Sequence, residues 1–165
     1  MEAGRNVAER LEGSVMRRDD DSGPAGESDT ERALNYWRTL SALDFGQAEI
    51  AEVETCVGSI SSTVKDWRDA VHGDAAAAIR LVLAQKPPER ITLKVDLAMT
   101  VLLCRAFDNA AAALTLSLRL RSMPLDGSHR NRLATSWLVR NLYLARDYSA
   151  SRPPRARQMR GGRKS

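Results

Sequence analysis

A chain of 165 residues, 43% hydrophobic and 28% charged, is long enough to bury one core and leave flexible ends. Its two cysteines, Cys56 and Cys104, lie outside metal-ligand spacing, which excludes a disulfide framework and a zinc site. The formal net charge of +4 conceals a division along the chain: residues 1–44 sum to −4, residues 45–90 to −2 and residues 91–165 to +10. Such asymmetry points to a polyanionic partner or a basic tail.

In chain order, residues 1–28 read as a flexible acidic segment, since "RRDDDSGPAGESD" joins a charge block to Gly, Pro and Ser. Residues 1–18 mix acids and bases, which predicts no secretory signal. The longest apolar stretch, "LAMTVLLC", is too short for a bilayer, so a soluble cytoplasmic protein without membrane contact is expected. Order is predicted to begin at "SDTERALNYWRTLSAL". There Ser28 or Asp29 caps a helix, with Ala33, Leu34, Trp37, Leu40 and Leu43 on its apolar side and Gly46 at its end. A second helix is predicted through residues 47–71, weak at Gly58 and the following serines, where a break would make two helices of one.

"HGD" reads as a stop and restart, with Gly73 able to take positive φ and Asp74 placed to cap "AAAAIRLVLAQ". The prolines of "KPPER" close that element. A helix from about residue 89 follows, and its wide apolar arc, including Val95, Leu97, Ala98, Val101, Leu102 and Cys104, marks it as central. Cys104 reads there as a small core hydrophobe.

The stretch "LTLSLRLR", residues 114–121, alternates as a half-buried strand does. The four alanines before it and the cap at Asp108 or Asn109 instead predict a helix over residues 109–122, with Leu114 and Leu118 buried on one face and Leu116 and Leu120 on another. A last helix, residues 129–148, is predicted to dock Leu133, Ala134, Trp137, Leu138, Asn141, Leu142, Leu144 and Ala145 while Arg132, Tyr143 and Arg146 face away. Residues 149–165 are predicted to form a flexible basic tail.

The expected fold is therefore all-α, a compact bundle or stack of helical hairpins of about five to six helices over residues 29–148. "DNAAAALTLSLRLRSMP" is similar to the second helix of a tetratricopeptide unit, but over one unit at most, and no period of about 34 residues runs through the chain. A helix-turn-helix can be laid over residues 97–121, yet its second helix would offer alanines and leucines to the base edges.

Motifs for catalysis are missing. His72 and His129 stand beside glycine or turn residues outside any ligand spacing, "GSISS" lacks the lysine of a phosphate loop, and Asp66 and Asp69 read as a solvated helix face. No enzyme, cofactor or metal is expected. The basic C-terminus carries the chemical content: Arg152, Arg155, Arg157, Arg160, Arg163 and Lys164 suit a phosphate backbone, and Arg132 and Arg146 extend the positive surface onto a folded helix, with Arg130 and Arg140 nearby. The expected function is non-catalytic: an accessory or regulatory protein binding nucleic acid through Arg132, Arg146 and the tail. The alternative is a helical adaptor or chaperone-like module for another protein, the tail binding an acidic protein surface.

Overall fold

The computed structural model describes residues 28–150, which form seven α-helices and no strand. Helix α1 (Asp29–Thr39) opens with a capping box. The Ser28 hydroxyl accepts from Glu31 N while Glu31 Oε2 accepts from Ser28 N, satisfying two donors that a helix start leaves bare. It ends well before Gly46. Ser41 N and Oγ both donate to Asp44 Oδ2, a turn that competes with helix and leaves Leu43 in solvent.

The predicted helix over 47–71 is two. Helix α2 (Gln47–Ser59) stops where Ile60 turns extended, and α3 (Trp67–Val71) starts after Asp66, whose φ of 67° is left-handed. The serines act as expected: Ser59 Oγ donates to Cys56 O at 2.8 Å, and Ser62 Oγ accepts from Val64 N. Trp67 then closes the gap by donating its indole N–H to Ile60 O at 3.1 Å. This break raises the count above five or six.

Helix α4 (Ala75–Leu83) is capped by Asp74, whose Oδ1 accepts from Ala76 N and Ala77 N, and Gly73 takes φ +110° before it. Helix α5 (Leu93–Ala106) begins four residues later than about residue 89, with Thr92 as its extended N-cap. Its wide apolar arc has the predicted consequence: α5 packs against α1, α2, α3, α4 and α6, and Met99, Val101, Leu102 and Leu103 are sealed. Burial pushes the Cys104 thiol up to about 12, so it stays protonated as a core group.

"LTLSLRLR" lies in α6 (Ala110–Leu120), capped by Asn109 Oδ1 on Ala112 N at 3.0 Å. It is buried on one side, not two. Leu116 and Leu120 are sealed, whereas Leu114 borders solvent and Leu118 is 58% exposed. The faces separate because α7 (Gly127–Ala150) covers the Ser117 side, where Ser117 Oγ donates to Ala134 O at 2.6 Å. Among the described residues no further helix covers the Leu118 side. Helix α7 docks through Leu133, Ala134 and Trp137, and Phe107 and Phe45 pack on Trp137 with ring centroids 5.3 and 6.0 Å away.

Candidate nucleic-acid interface

Helix α7 starts on the carboxylate of Asp126, which accepts from Ser128 N and His129 N, both at 3.1 Å. These bonds hold the Asp126 carboxyl below the usual aspartate range, with the Ser128 hydroxyl the largest influence. The helix runs to Ala150, two residues past its predicted end at residue 148. Its 24 residues span about 36 Å at 1.5 Å per residue, so it leads directly from the core toward residue 151.

Four arginines ride on this helix, and the fold uses them unequally. Arg130 Nη1 donates to Met123 O at 3.2 Å, and Arg140 donates to Phe107 O, the carbonyl at the end of α5. Beside it, Asn141 Nδ2 donates to Ala110 O at 2.7 Å. Arg130 and Arg140 are thus fasteners between α7 and the segments before it, each with donors committed to backbone.

Arg132 and Arg146 are both exposed. They stand 14 residues apart, about 21 Å along the axis and within about 40° of one another around it, so they share a face as the spacing predicts. Their surroundings differ. His129 Nε2 lies 2.7 Å from Arg38 O and carries its hydrogen there, which leaves Nδ1 to accept from Arg132 Nη2 at 3.1 Å. Arg132 also acts on the nearby Asp44, whose carboxyl is held low first by Ser41 and further by this guanidinium. Its charge is partly balanced by the fold.

Around Arg146 there is no such partner: no hydrogen bond or ion pair engages it among the described residues. Tyr143, one turn earlier, is 61% exposed, and Leu142 and Tyr148 are exposed at the same end, 62% and 71%. Leu142 departs from the predicted docking face because it lies about 140° around the helix from the sealed Trp137, whereas Leu144, further along but within about 20° of Trp137, still packs against the core. Sequence reasoning placed Tyr143 on the arginine face but did not single out Tyr148 or the exposed rings as a feature of this end. Their position beside an arginine at a helix end that outruns its neighbour was the available signal.

Arg152, Arg155, Arg157, Arg160, Arg163 and Lys164 lie outside the described residues. Of the arginines in "LTLSLRLR", Arg119 donates to Gln85 O at 3.0 Å and ties α6 to the end of α4, while Arg121 is exposed. Among the described residues no group of three or more His, Cys, Asp or Glu side chains is placed to hold a metal, and no helix is long and apolar enough to cross a membrane. Comparison with protein-family models, curated proteins and solved structures gives no match.

Proposed function

We propose that the chain is a nucleic-acid-binding accessory protein in which the distal end of α7 and the basic segment beyond it contact the phosphate backbone. One observation carries the reading. Arg146, exposed and unpaired among the described residues, stands on the last helix of a segment whose net charge is +10, and six further cations follow within residues 152–164. Phosphate contacts by such residues release counterions and carry no base specificity. Tyr143 and Tyr148 add exposed rings on which unpaired bases stack, favouring single strands over duplex.

The test is an electrophoretic mobility shift of the full chain with one single-stranded and one duplex oligonucleotide at two salt concentrations. Engagement of six charges on B-DNA gives a log–log salt slope of about −5. Absence of any shift at low salt sinks the proposal.

A second reading, a docking module for a protein helix, is favoured by a different surface. A groove of about 220 Å³ between α3, α4 and α5 is lined by Val64, Trp67, Leu81, Leu93 and Leu97, with Lys94 at its side. Val64 is about half exposed and Leu93 mostly so. Docking there buries apolar area and is insensitive to salt, which separates it from backbone binding.

A further inference from the structure

Arg105, in the last turn of α5, forms one wall of a cleft of about 230 Å³ between α2, α3 and α5, opposite Val57, Val71 and Val101. Its side chain keeps 17% of its surface, and Nε is sealed from solvent with no partner. The nearest acid is Glu54, whose Oε1 stands 3.8 Å from Nη2, beyond hydrogen-bonding distance. Apart from the thiol of Cys104, a weak acceptor, no group hydrogen-bonds this guanidinium among the described residues.

Arg119 and Arg130 also seal their Nε atoms, but each donates another N–H to a carbonyl, of Gln85 and Met123. Arg105 has no such outlet. A guanidinium stays charged at any working pH, so burial does not neutralise it, and a charged group with a sealed, unsatisfied donor and only a weak acceptor is costly. Gly73, whose φ of +110° favours glycine, lies beside it at α3's end: a Cβ built there would sit 3.4 Å from Nη1, in ordinary van der Waals contact.

We propose that this cleft binds a small aliphatic carboxylate, its two oxygens on the Arg105 guanidinium and its hydrocarbon body against Val57, Val71 and Val101. The fork of N–H groups matches a carboxylate in two parallel bonds. Glu54 already offsets part of the single cation, so a doubly charged phosphate is disfavoured more than a singly charged carboxylate. The cleft is smaller than the roughly 300 Å³ at which pockets for drug-sized ligands begin, so the body is a few carbons long.

The test uses the full chain, without nucleic acid, and methyl-resolved NMR. Titration with isovalerate should shift the methyl resonances of Val57, Val71 and Val101 saturably and leave Val139 on α7 unmoved. Its neutral isostere isovaleramide should not shift them, and Arg105→Gln should weaken the isovalerate response at least about 10-fold. If Arg105→Gln does not fold, the comparison of acid with amide on the unmodified chain decides. Equal response to the amide, response to inorganic phosphate instead of isovalerate, or no response at these valines overturns the proposal.

Discussion

Trp37 on α1 donates its indole N–H to Oδ1 of Asp96 on α5 at 3.0 Å, joining two residues 59 positions apart in the sequence. Arg38 Nη2 stands 3.8 Å from the other carboxylate oxygen. Burial pushes the Asp96 carboxyl above the usual aspartate range, and Arg38 and the indole oppose that shift without cancelling it. The folded state therefore holds this proton more tightly than the unfolded chain does. For this group, stability rises as pH falls from neutral through the raised pKa. Asp44, Glu52, Asp66 and Asp126 have lowered values and act oppositely, their contribution being lost as pH falls through them.

Asp96→Asn keeps an acceptor for Trp37 and removes the buried charge. At pH 7 its unfolding free energy should equal or exceed that of the unmodified chain by up to about 1 kcal/mol, and the difference should shrink toward pH 4. Denaturant melts at the two pH values measure this. A variant destabilised at pH 7 and matched at pH 4 would show that the Arg38 ion pair outweighs burial.

The two faces of α6 set up a paired comparison. Leu116 is sealed in the core and Leu118 is mostly in solvent, although both come from the same alternating run. Leu116→Asp buries an unpaired charge and should cost more than about 3 kcal/mol, whereas Leu118→Asp should stay within about 0.5 kcal/mol. Thermal melts of the two variants give the answer, and similar losses in both would restore a helix buried on two faces.

Asp74 closes the start of α4 with one oxygen on two backbone N–H groups. Asp74→Ala should cost about 1 kcal/mol, and Asp74→Asn, which retains the acceptor, only a small part of that. Urea unfolding of both variants checks the cap, and equal loss in the two would assign the effect to charge instead.

Local chemistry was the legible part of this chain. Ser28, Asp74 and Asn109 are caps because short polar side chains reach the N–H groups just after them, and that reach is written in adjacent residues. The central position of α5 was legible from its wide apolar arc, as was the break among the serines after Gly58. Which leucine of an apolar pair is covered depends on which side of its helix the distant neighbours pack against. Leu118 and Leu142 both read as core and both lie on the side of their helix turned away from its sealed residues. The same holds for the cations: Arg130, Arg132, Arg140 and Arg146 look alike in sequence, and their division into fasteners and an unpaired group rests on carbonyls and an imidazole supplied by distant or adjoining turns. The Arg105 cleft unites residues of three helices and left no local signature.

Deleting residues 151–165 should separate binding from folding. Among the described residues every fully buried hydrophobic lies between Ala33 and Trp137, so the melting temperature should be nearly unchanged. Affinity for single-stranded or duplex nucleic acid should fall at least about 10-fold at low salt, and the salt slope should flatten, because six cations leave with the segment. Within the intact chain, Arg146→Gln should weaken binding more than Arg132→Gln. Arg132 already hydrogen-bonds His129 and shares its field with Asp44, so fewer of its donors and less of its charge reach a phosphate. Tyr143→Ala should weaken single-strand binding by about 1–3 kcal/mol if its ring stacks on a base, and leave duplex binding nearly unchanged. Titrations of fluorescein-labelled oligonucleotides by anisotropy measure all four variants. Equal losses for Arg132 and Arg146 would place the contact along the whole of α7, and unaltered affinity after deletion of residues 151–165 would remove the C-terminal segment from the interface.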